Sequence, residues 1–205
     1  GYRFYFDYKT SSCSGSNASA GSYVYGAQLK SRSYDMDTDY MLLQLTGNIS
    51  SSSNIYYAGW NAGANTSYGL SVGIHHPGGD PKKINFGSGN TYQSNWNGEG
   101  ENSPYGSHWK VYWNAGGTEG GSSGSPVFDS NKRVLGPLSG GPDVACESNG
   151  DYALYGRLTR AWDMGLSNYL DPDGTGVKYV NGTYNAQVLG CTDSGASNYN
   201  PNATI

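Results

Sequence analysis

The 205-residue sequence has few charged residues, few cysteines and no long apolar run. Charged residues make up 14 % of it and give a formal net charge of −4, whereas a nucleic-acid-binding domain is usually basic. No apolar run approaches the roughly 20 residues that cross a bilayer, and no secretory signal segment opens the chain. We therefore expect neither a nucleic acid nor a membrane as a partner.

Glycine and aromatic residues are abundant, with 32 glycines, 19 tyrosines and 5 tryptophans. Together with many serines, asparagines and threonines, they are typical of short strands joined by polar turns, so we predict an all-β fold. The length permits one two-barrel domain of roughly 200 residues. Residues 39–45 form an apolar run headed by an acid, and residues 160–170 predict a short helix that Pro172 ends. Strands are predicted at 2–8, 23–30, 55–60, 70–75, 83–86, 91–96, 108–113, 133–138 and 153–159.

The run Gly-Ser-Ser-Gly-Ser-Pro at 121–126 is followed by a strand-like stretch. It resembles the nucleophile loop Gly-x-Ser-Gly-x-Pro of trypsin-like serine proteases, which makes Ser123 the candidate nucleophile. A serine that attacks a carbonyl needs backbone N–H groups aimed at the oxyanion that forms. A glycine-bounded loop lets the N–H groups of Gly121 and Ser123 converge there without Cβ clashes. An ordinary Gly/Ser turn is the alternative for these six residues alone.

A serine nucleophile needs a base and an acid, and their order along the chain separates the known folds. All three histidines, His75, His76 and His108, precede Ser123, which excludes the order of the α/β-hydrolases. The subtilisin order is formally available, but that fold needs long helices. The trypsin order needs a histidine before Asp39, and residues 1–38 contain none. We therefore expect that the chain begins downstream of its base and is inactive by itself; an inactive homologue is the alternative.

The histidines themselves predict no metal site. His75 and His76 are adjacent on a predicted strand, so their side chains point to opposite faces and do not readily share one ion. His108 is interpreted as a lone strand residue. We expect no metal and no cofactor.

Several spaced motifs resemble the bacterial lysyl endopeptidases, which are secreted trypsin-like serine proteases. The resemblance runs from residue 2 to about 180 and implies a trypsin-like double β-barrel, with an incomplete first barrel, that acts on polypeptides outside the cell. We expect a monomer. The segments that carry the resemblance are 58–60, 74–77, 108–113, 118–126, 133–136, 140–142 and 155–157.

The resemblance also implies the roles of the residues around Ser123. It places the catalytic acid at Asp39, in Asp-Tyr-x-Leu-Leu-x-Leu, and leaves Asp35 and Asp37 as loop acids. The base histidine would lie before Tyr2. Ser122 stands where trypsin carries the acid that binds its newly freed N-terminus, so activation is not expected to rest on that ion pair.

Substrate contacts are implied at three places. Leu138, Ser139 and Gly140 are expected to pair with the substrate backbone. In the family an aspartate of the lysine pocket stands at the position of Ala153, and Asp151 is the residue that could replace it. Trp96 supplies one half of the family's tryptophan–histidine pair, while Ser139 replaces the histidine.

The cysteines complete the domain prediction. The resemblance implies that Cys13 and Cys146 pair with cysteines outside the sequence, in an oxidising compartment. Cys191 lies in a segment that resembles a short repeat of secreted marine bacterial proteins. We therefore predict a protease domain at 1–180, a linker at 181–189 and the start of a repeat at 190–205. A pseudoprotease that binds without cleaving and a glycan-binding β-sandwich are the alternative functions.

Overall fold

The computed structural model describes residues 1–184, except 14, 16, 34–36, 50–54, 66, 88, 90, 99–100 and 143–151, together with residues 193–195. These residues form a mostly β structure with a 3₁₀ turn at Pro77–Gly79 and one short helical segment near the C-terminal end. The strands are β1 (Arg3–Tyr5), β2 (Lys9–Thr10), β3 (Ala18–Ser19), β4 (Tyr23–Tyr25), β5 (Ala27–Arg32), β6 (Met41–Leu45), β7 (Gly59–Asn61), β8 (Ser67–Tyr68), β9 (Ser71–His75), β10 (Lys83–Gly87), β11 (Thr91–Ser94), β12 (Asn97–Gly98), β13 (Glu101–Asn102), β14 (His108–Tyr112), β15 (Pro126–Phe128), β16 (Arg133–Gly140), β17 (Tyr152–Gly156) and β18 (Tyr179–Val180).

One large sheet holds most of the strands in the order β10-β9-β15-β16-β17-β14-β11-β8, with β7 paired to β16 and β18 paired to β7. Only the β7–β16 pair is parallel among the described strands. The β15–β16 hairpin lies at the centre, so the loop that precedes β15 is positioned by strands on both sides. The core residues of this sheet are Trp109, Val111, Trp113, Val127, Leu135, Leu138, Ala153 and Tyr155. Burying one such large apolar side chain contributes roughly 1.5–3 kcal/mol, which makes this sheet the stable part of the molecule.

The N-terminal strands form small separate sheets, β1–β4, β2–β3 and β5–β6. The strand predicted at 2–8 ends at Tyr5, because Asp7 has a φ of +56° that a strand cannot continue through. The strand predicted at 23–30 is divided into β4 and β5 at Gly26, whose φ is +84°. Both corrections have one cause: local backbone conformations with positive φ interrupt an alternating pattern.

The predicted helix is confirmed and begins two residues earlier, at Leu158. Its parts are α1 (Leu158–Ala161), a π-helical stretch (Trp162–Leu166) and α2 (Ser167–Leu170). It packs on the N-terminal part of the chain through a second core cluster of Tyr40, Ala62, Leu158, Ala161, Trp162 and Leu166. Within the described residues, no helix is long and apolar enough to span a membrane.

The end of the described chain is tied back to the large sheet. Val180 lies opposite Trp60 in the β18–β7 pair, and Tyr57 forms a bridge with Thr183. This pairing carries the packed structure a few residues into the stretch predicted as a linker. Cys13 is exposed, and Cys146 and Cys191 lie outside the described residues.

Candidate active site

The loop before β15 presents Ser123 to solvent and turns Ser122 inward. Ser123 is exposed, whereas Ser122 is only 1 % exposed. Gly121 and Gly124 have φ values of +91° and +78°, which residues with a Cβ rarely adopt. The loop is fastened to β16 because Gly124 N–H donates to the Leu138 carbonyl at 2.8 Å. The positive φ values explain why glycine occupies these two positions of the loop.

The backbone around Ser123 has the donors that an oxyanion requires. Within the described part of the chain, no acceptor takes the N–H of Gly121 or of Ser123. The preceding turn is closed by Gly78 N–H, which donates to the Gly120 carbonyl at 2.8 Å, and by Ser122 N–H, which donates to the Glu119 carbonyl at 3.0 Å. Two N–H groups without an acceptor therefore lie next to an exposed serine hydroxyl, and an oxyanion needs donors of this kind.

A buried chain of polar groups lies under this loop. His75 Nδ1 is 2.8 Å from Ser122 Oγ, and His75 Nε2 is 2.7 Å from Asn85 Oδ1. Asn85 Nδ2 donates to the Gly117 carbonyl at 3.0 Å, and Glu119 N–H donates to Ser122 Oγ at 3.3 Å. His75 therefore has a structural partner on each ring nitrogen. By contrast, neighbouring His76 donates from Nδ1 to the Asp80 carbonyl and stacks on Tyr8, which places the two histidine side chains apart.

Asp39 is held at the edge of the large sheet by the residues on either side of it. Thr38 is fully buried and its hydroxyl lies 3.1 Å from the Ser107 carbonyl and 3.0 Å from the Arg157 carbonyl. On the other side, the Tyr40 hydroxyl hydrogen bonds with Ser31 Oγ at 2.7 Å. Asp39 itself is half-buried and has a φ of +42°.

Asp35 and Asp37 are the two other acids near Asp39 in the sequence. Asp37 forms a two-pronged ion pair with Arg160, at 3.0 and 2.7 Å, which raises the pKa of that arginine. Asp37 is thus paired with the C-terminal helix. Asp35 lies outside the described residues.

His108 lies on strand β14, as predicted, but it is not isolated: its side chain belongs to a buried polar cluster. It is fully buried, with Nδ1 2.8 Å from Ser107 Oγ and 3.3 Å from Ser103 Oγ, and with Nε2 3.1 Å from Ser139 Oγ. Burial lowers its pKa to about 4, against the opposing effect of the carboxylates of Asp39 and Asp37. The cluster connects β14 to Ser139 on β16.

This burial makes the stability of the fold depend on pH. The pKa of His108 is about 4 in the folded state, and that of an unfolded histidine is about 6.5. Its contribution is complete above pH 6.5 and is lost as the pH falls from 6.5 towards 4, because the unfolded chain binds the proton more tightly. We expect wild type to lose about 2–3 kcal/mol at pH 4.5 from this group.

Urea unfolding of wild type and His108→Gln at pH 7 and pH 4.5 measures this effect. The difference in unfolding free energy between the two proteins should shrink at pH 4.5, because glutamine does not titrate. His76→Gln serves as the control and should follow wild type. A difference that stays constant between the two pH values would refute the assignment.

The predicted substrate residues separate into three groups. β16 pairs with β15 only as far as Pro137. On the side that faces β15, Ser139 and Gly140 therefore have no strand partner among the described residues. Trp96 lies against Gly140, since a Cβ added there would be 2.8 Å from its ring. The side chains of Leu138 and Ala153 belong to the core cluster of the large sheet. Asp151 is outside the described residues.

Two features were not predicted from the sequence. They are the hydrogen-bonded series of Asn85, His75 and Ser122, called the relay below, and the polar cluster around His108. Their members lie in separate strands and loops, and single histidines on strands give no signal of their partners. Within the described residues, no group of three or more His, Cys, Asp or Glu side chains is arranged to hold a metal ion.

Comparison with known proteins assigns the family. The family model described as "Lysyl endopeptidase, C-terminal domain" matches residues 1–156. The chain therefore belongs to the lysyl endopeptidase C-terminal domain family, which confirms the resemblance seen in the sequence. A lysyl endopeptidase of Pseudomonas aeruginosa is 31 % identical over 143 residues, which are 66 % of this chain and 29 % of that protein. The chain thus spans less than a third of the length of this relative.

Solved structures of the Rv3671c protease from M. tuberculosis are also similar. The active form matches with a TM-score of 0.42 and 17 % identity, over 69 % of this chain and 58 % of the other. The inactive form of its Ser343Ala mutant matches with a TM-score of 0.40 and 16 % identity, over 80 % and 75 %.

Proposed function

We propose that the protein is a secreted serine endopeptidase that cleaves peptide bonds through an acyl-enzyme formed on Ser123. The observation that carries the proposal is the exposed Ser123 hydroxyl in a loop whose N–H groups at Gly121 and Ser123 have no acceptor among the described residues. Ser123 Oγ attacks the scissile carbonyl, and these two groups stabilise the oxyanion. One such donor is typically worth about 3 kcal/mol in the transition state.

In this mechanism Asp39 orients the base histidine and stabilises the imidazolium that forms. None of the three histidines of the chain fills that role. His75 and His108 are buried and bonded on both ring nitrogens, and His76 is bonded to the Asp80 carbonyl. We propose that the base comes from a part of the protein outside these 205 residues, so that the 205-residue chain by itself is expected to be inactive. The corresponding fold is a trypsin-like double barrel to which the large sheet contributes the second barrel.

The substrate backbone binds as an added strand along Ser139 and Gly140, where β16 extends past β15. For specificity we propose a preference for lysine, supported by the family, with Asp151 as the acid that pairs the ammonium group. Ala153, at the position where the family carries the aspartate, has no charge, so a different residue has to fill this role. With matched peptide substrates, Asp151→Asn should reduce kcat/KM for lysine far more than for alanine.

The test of the function is active-site labelling of the full-length gene product that contains this chain. A fluorophosphonate should modify Ser123, and the protein should cleave a lysine-containing peptide. Ser123→Ala should abolish both, while Ser130→Ala, at an exposed turn, should leave both unchanged. The 205-residue chain alone should show no turnover. A folded full-length protein without labelling at Ser123 would instead be a pseudoprotease.

A further inference from the structure

The chain of hydrogen bonds under the nucleophile loop has a single consistent set of donors and acceptors. The Asn85 amide nitrogen donates to the Gly117 carbonyl, so Asn85 Oδ1 faces His75. That oxygen can only accept, so the proton of the neutral imidazole is on Nε2. Nδ1 then carries a lone pair and accepts the Ser122 hydroxyl proton, which leaves Ser122 Oγ to accept from Glu119 N–H.

The three side chains that form this hydrogen-bonded relay are all buried. The exposed fractions are 3 % for His75 and 1 % for both Asn85 and Ser122. Burial lowers the pKa of His75; the Asn85 hydrogen bond and the Glu119 carboxylate oppose this, and the charge of His76 adds to it. His75 is therefore neutral near pH 7, in the tautomer that the bonding requires.

Protonation of His75 would break this arrangement. Nδ1 would become a donor, and the Ser122 hydroxyl proton would face it without an acceptor in a dry site. A buried hydroxyl without a partner and a buried charge are both costly. Rotation of the hydroxyl would let Ser122 Oγ accept from Nδ1, but its own proton would then lack the acceptor that Nδ1 provided. A movement of Ser122, which lies directly between Gly121 and Ser123, relieves this cost.

We propose that neutral His75 is a positioning residue that holds Ser122 and thereby aims the N–H groups of Gly121 and Ser123, and that its protonation releases this loop. The catalytic consequence of this inference rests on the proposed function of Ser123. The hydrogen bond between His75 and Ser122 does not depend on that function. It assigns the inward serine a role that an acidic residue fills through an ion pair in trypsin.

The first test is a pH titration of the uniformly ¹⁵N-labelled protein by nuclear magnetic resonance, which reports both the histidine ring nitrogens and the backbone amides. We expect the Nε2–H tautomer for His75 at pH 7, and we expect the amide signals of Gly121, Ser123 and Gly124 to shift with the same midpoint as His75. Asn85→Asp retains the acceptor and adds a negative charge that favours the imidazolium. Both midpoints should then rise together by at least one pH unit, which is a tenfold gain in proton affinity.

The second test measures catalysis of the full-length protein at pH 8. His75→Gln should lower kcat about 100-fold and leave KM within about twofold, since the loss is in oxyanion stabilisation. His76→Gln is the matched control and should match wild type in both parameters. If His75→Gln folds poorly, the wild-type and Asn85→Asp titrations still decide the matter.

The outcomes separate this inference from the proposed function. Loop amides that do not follow His75, or a Nδ1–H tautomer, overturn the relay even when Ser123 reacts with a fluorophosphonate. Absence of labelling together with a coupled titration overturns the protease and retains the relay.

Discussion

Asp39→Asn is expected to lower kcat/KM of the full-length protein about 10⁴-fold, with little change in stability. An asparagine in place of the acid of a catalytic triad favours the wrong histidine tautomer and does not stabilise the imidazolium. The backbone of Asp39 is fixed by its buried neighbours Thr38 and Tyr40, so the substitution should not move the loop. Steady-state kinetics and urea unfolding measure the two effects separately.

Asp37→Asn is the matched control for this prediction. Asp37 is two residues away and has the same charge, but it pairs with Arg160 at the surface. Loss of such a pair typically costs less than about 1 kcal/mol, and activity should be retained. A larger loss of activity for Asp37→Asn than for Asp39→Asn would mean that the catalytic acid has been assigned wrongly.

Gly156→Ala is expected to destabilise the fold strongly. Gly156 pairs with His108 in the β17–β14 ladder, and a Cβ there would overlap the Thr38 carbonyl and lie 3.4 Å from that of Asp39. Both obstacles are backbone atoms of a loop anchored by Thr38, so neither can move cheaply. Overpacking typically costs about 1–3 kcal/mol, and we expect at least the upper end of that range.

Urea unfolding of Gly156→Ala and Gly69→Ala tests this expectation. Gly69 is the control because a methyl group added there meets nothing within 4 Å. The full-length Gly156→Ala protein should also lose activity beyond its loss of stability, because the strain displaces Asp39. Equal unfolding free energies for the two variants would show that the backbones do not approach as closely as described.

Local patterns were sufficient where the structure depends on near neighbours. The alternation and apolar runs of residues 70–75, 83–86 and 133–138 predicted β9, β10 and much of β16, because one face of each strand must be covered. The composition of the loop at 121–126 predicted an exposed serine between glycines, since only glycine takes positive φ without strain. The helix was predicted to within two residues at its start.

Long-range pairing decided what surrounds these elements. His75 meets Asn85 because β9 pairs with β10, and it meets Ser122 because β9 also pairs with β15. His108 reaches Ser139 because β17 lies between β14 and β16 and carries both. No local spacing encodes these contacts, since the partners are 10–47 residues apart along the chain.

The sequence by itself determined the strand pattern, the serine loop and the resemblance to the lysyl endopeptidases, because these depend on residue types in short segments. Only the tertiary structure decided that Ala153 belongs to the core, that Asp37 is tied to Arg160 and that Ser122 is held by His75. The physical reason is that burial and hydrogen-bond partners are properties of paired strands, and one strand read alone does not specify what covers it.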